Sequence, residues 1–245
     1  VGSGKTAVAA TTTFAAIMTR PRGQDYGSLQ VAYMAPTEIL ASQHFESFIQ
    51  YFEHTGVSIG LITGSGCRKF PAKVPQFKNG GRQNWTDISR AQLLKWVANG
   101  EIPILIGTHA LIQKAVQFKN LAYVVVDEQH RFGTAQRQKL VRKDKIHPHL
   151  LSMTATPIPR TLALTIYGDL DLTLLDQMPH GRKAIITEVV TATKRDHMYE
   201  AMRGQLRLGR QAYIICPRID EPDPTMESAL MAKSVKEEAK RLQNN

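Results

Sequence analysis

The sequence lacks any apolar run near the roughly 20 residues that a membrane-spanning helix requires, and it opens without a signal-peptide pattern. It contains only two cysteines, Cys67 and Cys216, which lie far apart in the chain. Two distant cysteines exclude a disulfide framework and a zinc site, and the eight histidines show no ligand spacing. We therefore expect a cytoplasmic protein with no membrane segment and no structural metal.

Acidic residues are also in the minority. The 21 Asp and Glu residues are outnumbered by 31 Lys and Arg residues, which gives a net charge of +10 and an isoelectric point of about 9.7. This balance favours a polyanionic partner, and no basic amphipathic anchor helix is visible, so we expect nucleic acid rather than a membrane surface. The 42% of apolar residues are enough for a sizeable core.

The most informative stretch is an apolar run that ends in two carboxylates. Val124, Val125 and Val126 precede Asp127 and Glu128. Continuous β-branched residues predict a parallel strand that is buried on both faces. Because ligands bind at the carboxyl ends of such strands, the two acidic residues are candidates for a Mg²⁺ ligand and a water-orienting base. The alternative is an ordinary acidic turn after a strand.

A phosphate-binding loop opens the chain, with the residues Gly2-Ser3-Gly4-Lys5-Thr6 and then a helix-forming run over 7–18. Its backbone N–H groups can surround phosphate oxygens, Lys5 can reach the β- and γ-phosphates, and the Thr6 hydroxyl can join a Mg²⁺ shell. The alternative is a glycine turn capped by chance. Because Val1 falls inside the motif and the last helix has no stop signal, we expect a piece truncated at both ends.

Strands and helices alternate along most of the chain, which predicts an α/β fold with a doubly wound, mainly parallel sheet. We predict a first domain over 1–179 and the start of a second, incomplete one over 180–245. The predicted strands are 29–35, 57–62, 102–106, 124–126 and 150–153 in the first domain and 185–190 and 211–216 in the second. The predicted helices are 7–18, 39–52, 88–99, 136–143, 194–208 and 225–242.

Three loop regions leave two interpretations open. Thr37 at the start of a helix can bind a nucleic-acid phosphate or simply cap the helix. Thr154 and Thr156 after a strand can sense a γ-phosphate or serve as ordinary caps. The segment 66–86 is basic, contains aromatics, prolines and glycines, and predicts an irregular insertion that either contacts DNA or is solvated.

Together these residues resemble the motor of superfamily 2 helicases, and among them the RecG family of bacterial branched-DNA helicases. Six stretches carry the resemblance: residues 2–6 are similar to motif I, 35–41 to motif Ia, 63–65 and 107–112 to the strand-contacting motifs, 127–133 to motif II and 153–163 to motif III. The related transcription-repair coupling translocases typically have Glu-Gln where Gln129-His130 stand here, which favours the RecG family.

The resemblance implies RecA-like P-loop domains and assigns roles to individual residues. Gly2, Ser3, Gly4, Lys5 and Thr6 would bind ATP, and Thr6 and Asp127 would hold Mg²⁺. Lys5, Asp127 and Glu128 would be the catalytic residues. Coupling between ATP and DNA is implied for Gln129, His130, Thr154 and Thr156. DNA contacts are implied for Pro36, Thr37, Thr63, Gly64, Gly107, Thr108 and His109.

The function implied is that of an ATP-dependent DNA helicase that acts on branched DNA, in fork reversal and junction processing during repair and recombination. Two alternatives are a transcription-repair coupling type of translocase and an ATP-gated clamp that binds nucleic acid without unwinding it. A small-molecule phosphotransferase would use the same loop but would need no basic surface. A monomer is expected. Because the motifs that carry the arginine finger are not in the sequence, these residues alone are expected to be inactive.

Overall fold

The computed structural model describes residues 3–72, 76–78, 81–128, 148–155, 171–175, 181, 185–216 and 234–243. The chain divides into two compact units, Val1–Arg182 and Lys183–Asn245. None of the described helices is long and apolar enough to cross a membrane.

The first unit alternates helices and strands, as the sequence pattern predicts. Its helices are α1 (Lys5–Met18), α2 (Glu38–Phe52) and α3 (Arg90–Asn99), with a short 3₁₀ turn at His109–Ile112. Its strands are β1 (Gln30–Met34), β2 (Ile59–Ile62), β3 (Cys67–Phe70), β4 (Gln76–Lys78), β5 (Gly81–Gln83), β6 (Thr86–Ile88), β7 (Ile104–Gly107), β8 (Leu121–Asp127) and β9 (His149–Met153). The predicted helix 136–143 lies outside the described residues.

A seven-stranded sheet in the order β6-β3-β2-β7-β1-β8-β9 forms the centre of this unit. The five strands from β2 to β9 in that order run parallel, and β4 and β5 form a separate hairpin. The sequence order crosses over between neighbours, as expected when helices connect parallel strands. The prediction of an α/β fold with a mainly parallel sheet is confirmed.

Helices cover both faces of the sheet, which explains why its strands are apolar without alternation. On one face, α1 and α2 pack on the strand residues Val31, Tyr33, Ile104, Ile106 and Val125. On the other face, α3 packs on Ala32, Met34, Leu105, Val124 and Val126. All ten of these strand residues have no exposed surface.

The described residues of segment 66–86 form short strands, so the prediction of an irregular insertion is wrong for them. β3 runs back antiparallel to β2, with Ile59 opposite Phe70, and β6 pairs antiparallel with β3. The unpaired backbone groups on the outer edge of β2 provide hydrogen-bond partners for any extended segment that returns to them. The prolines and glycines indicated breaks, but they did not reveal the short strands between the breaks.

The second unit contains α4 (Arg195–Arg207) and α5 (Val235–Gln243), with a 3₁₀ turn at Ala192–Lys194 before α4. The Tyr199 hydroxyl on α4 donates a hydrogen bond to Glu238 on α5, and the Arg241 guanidinium carbon lies 5.2 Å from the centre of the Tyr199 ring. These contacts hold the two helices together. The N-terminal part of the predicted helix 225–242 lies outside the described residues.

The two strands predicted in the second unit are not formed, which corrects the prediction. Residues 185–190 and 211–216 have no regular structure, and neither segment pairs with any residue that the structure describes. Ile186, Val189 and Ile215 are 84%, 97% and 92% exposed. A β-branched run becomes a strand only where a neighbouring strand takes up its backbone hydrogen bonds, and sequence propensity alone does not supply that neighbour.

Candidate active site

The predicted site residues of the first unit follow the carboxyl ends of neighbouring parallel strands. Such ends share one edge of the sheet, so the fold brings these residues to that edge. Along the edge, Thr63 and Gly64 follow β2, Thr108 and His109 follow β7, Pro36 and Thr37 follow β1, Glu128 follows β8, and Thr154 follows β9.

Helix α1 points its N-terminus at the same edge. The C-terminal end of α1 lies near the start of β1, since Leu29 N donates a hydrogen bond to Thr19 O, the C-cap residue of α1, across 3.1 Å. Farther along the helix, the hydroxyls of Thr12 and Tyr123 lie 2.9 Å apart near the start of β8. Lys5 stands about two turns, or ~10 Å, before Thr12 along the helix axis. Asp127 stands ~13 Å beyond Tyr123 along β8, in the same direction. The N-terminal end of α1 and the carboxyl end of β8 therefore lie at a similar level along the sheet.

The loop before α1 leaves its first backbone N–H groups available to a ligand. Gly4, with φ of 82°, is the N-cap, and no side chain among the described residues caps this helix. A β-carbon at Gly4 would meet no other atom within 4 Å, so the space above the helix end is open. Lys5 Nζ donates to Ser3 Oγ at 3.4 Å. Unsatisfied N–H groups beside a lysine are a suitable binding site for phosphate.

Asp127 is held by a side chain that the sequence did not single out. His44 Nε2, on α2, lies 2.8 Å from Asp127 Oδ2, and Asp127 Oδ1 accepts a hydrogen bond from Glu128 N at 3.1 Å. The Tyr33 hydroxyl lies 3.3 Å from His44 Nδ1. Burial and the nearby Asp127 charge raise the pKa of Tyr33, so the phenol stays protonated. The carboxylate therefore belongs to a small polar network between β1, α2 and β8.

Glu128 directly contacts the strand end beside it. Thr154 Oγ1 donates to Glu128 Oε2 at 3.2 Å, which joins two residues that the sequence placed in different motifs. The Glu128 backbone has φ of 51°. This left-handed conformation is uncommon for residues other than glycine and tends to persist at functional sites, where the surrounding structure enforces it. It turns the chain sharply at the end of β8.

The candidate nucleic-acid turns after β1 and β2 are joined to each other. Thr37 is the N-cap of α2 and accepts a hydrogen bond from Leu40 N at 3.3 Å, so its capping role is confirmed. Glu38 Oε1 accepts from Gly64 N at 2.8 Å. The hydrogen bond from the Ser65 side chain, followed by those from the Gly64 and Ser65 backbone, lowers the pKa of Glu38. A β-carbon at Gly64 would come within 2.6 Å of Glu38 Oε1, so a larger residue there would displace the Glu38 side chain from this contact.

The other candidate turns differ in how far they are exposed. Thr63 is buried and bonds internally, with its hydroxyl 3.0 Å from Ser65 Oγ and 3.1 Å from Gly66 O. Gly107 packs tightly against β2, and Thr108 is buried. His109 is exposed at the first position of the 3₁₀ turn. The exposed groups at this edge are therefore Thr37, Gly64 and His109, while Thr63, Gly107 and Thr108 shape the turns beneath them.

Sequence reasoning missed His44 and Glu38, and a signal for His44 was present. His44 follows Ala41 by one helical turn and precedes Phe48 by another, so it lies on the apolar face of α2. Its side chain is only 12% exposed. A polar residue on a buried helix face needs a partner, and that need was the available signal. Four predicted site residues, Gly2, Gln129, His130 and Thr156, lie outside the described residues.

The residues at this edge fit a Mg²⁺ ion that is shared with phosphates. Such an ion typically takes one or two protein carboxylates or hydroxyls and completes its shell with waters and phosphate oxygens. Asp127 keeps acceptor capacity beyond its two hydrogen bonds, and Thr6 lies in the first turn of α1. Within the described part of the chain, no three His, Cys, Asp or Glu side chains are grouped as a metal site.

Comparison with known proteins assigns this arrangement to a family. The profile of the DEAD/DEAH box helicases matches residues 1–165, about two thirds of the chain. This chain belongs to the DEAD/DEAH box helicase family. The match covers the phosphate loop, Asp127, Glu128 and Thr154, all of which lie at the edge described above.

Among relatives of this DEAD/DEAH box protein, the similarity is to RecG. The ATP-dependent DNA helicase RecG of Bacillus subtilis (strain 168) is 48% identical over 223 residues, which are 91% of this chain and 29% of that protein. RecG of Aquifex aeolicus (strain VF5) is 43% identical over 224 residues, 91% of this chain and 25% of that one. The chain thus spans between a quarter and a third of the length of these relatives.

A solved structure agrees with the sequence comparison. The structure of RecG bound to a three-way DNA junction is 35% identical and matches with a TM-score of 0.63, over 87% of this chain and 25% of that chain. The resemblance to RecG that the motifs predict is confirmed.

Proposed function

We propose that this chain is the ATP-driven motor region of a RecG-type DNA helicase, which acts on branched DNA in fork reversal and junction processing during repair and recombination. The observation that supports the proposal is the direction of α1, whose N-terminal end with Lys5 runs towards the sheet edge where β8 ends in Asp127 and Glu128, in a chain similar to RecG over nine tenths of its length. The exposed turns at the same edge supply a place for the DNA backbone.

In this proposal the N-terminus of α1 binds ATP. Ser3 and Gly4, with Gly2, surround the phosphates with backbone N–H groups, and Lys5 Nζ exchanges its contact with Ser3 for the β- and γ-phosphate oxygens. The uncapped first turn of α1 supports this role, because its N–H groups have no side-chain acceptor. Thr6 and Asp127 would hold Mg²⁺, which neutralises part of the phosphate charge when it is bound.

Glu128 is proposed to orient the water that attacks the γ-phosphate. A carboxylate at the end of β8, beside the loop that holds the phosphates, is in position to accept a proton from that water. Thr154 holds one oxygen of Glu128, and we infer that it links this base to the end of β9. The same coupling role is proposed for Gln129, His130 and Thr156.

DNA binding is proposed for the turns after β1, β2 and β7. Thr37, Gly64 and His109 present a hydroxyl, a backbone turn and an imidazole at the exposed edge, and the net charge of +10 favours association with phosphates. Pro36, Thr63, Gly107 and Thr108 hold the shape of these turns.

The domain assignment remains part of the proposal. We propose that residues 1–179 form the ATP-binding domain and that residues 180–245 belong to a second helicase domain, in a monomeric protein of the cytoplasm, where bacterial DNA lies. Helices α4 and α5 are the described elements of the second domain.

The proposal is tested by ATP turnover of the full-length protein with no DNA, linear duplex and forked DNA at equal nucleotide concentration. We expect turnover to rise with DNA and to be highest with the fork. An ATP turnover rate that does not change when DNA is added would favour a small-molecule phosphotransferase and contradict the proposal.

A further inference from the structure

The contact between His44 and Asp127 joins two distant parts of the chain. The Nε2 and Oδ2 atoms are 2.8 Å apart, and the side chains are only 12% and 13% exposed. A hydrogen bond to a carboxylate in such a partly buried place is short and strong, and it fixes the direction in which the carboxylate points. The pair therefore sets the orientation of Asp127 at the end of β8.

Two side chains hold the His44 ring in place. A carboxylate only accepts hydrogen bonds, so His44 Nε2 carries a hydrogen and donates to Asp127. The Tyr33 hydroxyl lies 3.3 Å from Nδ1 and 3.5 Å from Nε2. The His44 ring also packs against the Tyr33 ring, with centroids 4.7 Å apart. Tyr33 is fully buried on β1, so it gives the imidazole a fixed surface to pack against.

The hydrogen bond from His44 uses only part of the acceptor capacity of Asp127. A carboxylate has two oxygens with about four lone-pair sites, and Nε2 occupies one of them on Oδ2. The imidazole can therefore fix the direction of the carboxylate and still leave lone pairs for a divalent cation.

Helix α2 carries His44 and also the first candidate DNA-contacting turn. Thr37 caps the helix, and Glu38 in its first turn accepts the hydrogen bond from Gly64 N. His44 lies two turns farther on, about 10 Å along the axis. One rigid element therefore contacts both the proposed DNA-binding turns and the proposed Mg²⁺ carboxylate.

The geometry points to His44 as a positioning residue that holds Asp127 ready for Mg²⁺-bound nucleotide and ties this carboxylate to the DNA-contacting end of α2. The inference rests on the proposed function, since it assumes that the site binds Mg²⁺ and ATP. His44 touches neither the substrate nor the reacting atoms in this account. Its effect passes through the carboxylate of Asp127.

The test measures binding of a fluorescent ATP analogue to the full-length protein, with and without Mg²⁺ and in the absence of DNA. His44→Phe keeps a ring beside Tyr33 but removes the hydrogen-bond donor. We expect this variant to reduce the Mg²⁺-dependent gain in nucleotide affinity by about tenfold. Loss of a residue that holds a metal ligand typically lowers metal affinity by about tenfold to a hundredfold, and this is the lower end of that range. His44→Gln restores an N–H donor and should return the gain to within about threefold of wild type. His54→Phe, at a histidine that is 91% exposed, is the matched control and should change nothing.

Two outcomes would overturn the inference. In the first, the Mg²⁺-dependent gain in nucleotide affinity is as large in His44→Phe as in wild type. In the second, that gain is as small in His44→Gln as in His44→Phe. If His44→Phe does not fold, as judged by its thermal transition, Tyr33→Phe takes its place. That variant removes only the hydroxyl that contacts His44 Nδ1. It should reduce the Mg²⁺-dependent gain in nucleotide affinity about threefold, in line with the loss of one hydrogen bond. An unchanged gain in Tyr33→Phe would then overturn the inference.

The inference and the proposed function fail in different ways. If wild type binds the nucleotide with Mg²⁺ and the His44 variants behave as expected, but DNA does not stimulate turnover, the helicase proposal fails and the positioning role stands. If wild type and Lys5→Ala bind the nucleotide analogue equally well and without dependence on Mg²⁺, the assignment of the phosphate site is wrong. Both the positioning role of His44 and the helicase proposal then fail. If wild type shows both Mg²⁺-dependent nucleotide binding and DNA-stimulated turnover, His44→Phe should also reduce the DNA stimulation of turnover, because the hydrogen bond from α2 to Asp127 is lost.

Discussion

The hydroxyl of Thr154 donates to Glu128 Oε2 across 3.2 Å and thereby joins the ends of β9 and β8. Because Glu128 also has a left-handed backbone, with φ of 51°, the side chain is constrained from both directions. A constrained carboxylate at this place can hold a water in one orientation. The hydrogen bond between Thr154 and Glu128 therefore contributes to the proposed link between the two motifs, and a substitution can remove it.

Replacing Thr154 with Val removes that hydrogen bond and nearly preserves the side-chain volume. We expect DNA-stimulated ATP turnover of the full-length protein to fall by about tenfold or more, in line with the roughly 1.5–3 kcal/mol that one hydrogen bond to a charged group contributes. Thr154→Ser retains the hydroxyl and is the matched control. Equal turnover in the Val and Ser variants would show that the hydroxyl does not position Glu128.

Replacing Glu128 with Gln tests the proposed base. The amide keeps the size of the side chain and an oxygen for Thr154, but it cannot accept a proton from water. We expect ATP binding to persist and single-turnover hydrolysis to slow by at least about a hundredfold, the usual effect of losing a positioned base. A loss of less than tenfold would mean that another group orients the water.

How much the sequence could predict is clear from particular elements. The parallel strands β1, β2, β7, β8 and β9 were predictable because apolar runs between turn residues define them locally. The phosphate loop and the carboxylates of β8 were predictable because their chemistry needs fixed residue types in order. The contact from His44 to Asp127 was not, since 83 positions separate the two residues and only the packing of α2 on the sheet brings them together.

The same reasoning explains two wrong predictions. The antiparallel strands β3 and β6 form because β3 pairs with the edge of β2 and β6 then pairs with β3, which is a property of the assembled sheet and not of segment 66–86. Conversely, residues 185–190 and 211–216 have strong strand propensity but no neighbouring strand among the described residues, so the propensity is not realised. Strand formation depends on a partner, whereas α1, α2 and α3 satisfy their own backbone hydrogen bonds.

Within segment 66–86, two basic residues are engaged by the protein itself. The Arg68 guanidinium carbon lies 4.3 Å from the centre of the Trp85 ring, and Arg68 Nε lies 3.6 Å from Asp87 Oδ1. Lys69 Nζ donates to Pro71 O at 3.2 Å. These contacts favour the interpretation of this part of the segment as a surface extension of the sheet rather than a DNA contact.

The Arg68→Gln, Lys69→Gln double variant tests that interpretation through the salt dependence of DNA binding. Affinity of the wild type should fall with salt, by about 0.9 in log K per unit of log salt for each duplex phosphate contact. We expect the double variant to keep the wild-type slope, measured by titration of labelled duplex at several salt concentrations. A slope reduced by about 0.9 or more would show that at least one of these residues neutralises a phosphate.

The register of β2 against β7 predicts a stability effect at Gly107. A β-carbon there would lie 2.5 Å from Ile62 O, a backbone atom in the neighbouring strand. Because the backbone cannot move aside without breaking the sheet, Gly107→Ala should destabilise the protein by about 1–3 kcal/mol or more in urea unfolding.

Gly60→Ala provides the comparison for that measurement. Its β-carbon would come within 2.9 Å of the ends of the Leu93 and Leu105 side chains, which can change rotamer. The loss of stability should therefore be smaller than at Gly107. An equal or larger loss at Gly60 would contradict the tight approach of β7 to β2.

The central claim, that ATP hydrolysis at this sheet edge drives movement on branched DNA, is tested most directly by strand separation of a labelled three-way junction. The full-length protein should convert the junction into separated products only with ATP and Mg²⁺, while Lys5→Ala should bind the junction with similar affinity and yield no product. Tight binding of wild type without any ATP-dependent product would contradict the claim and identify the protein as an ATP-gated clamp.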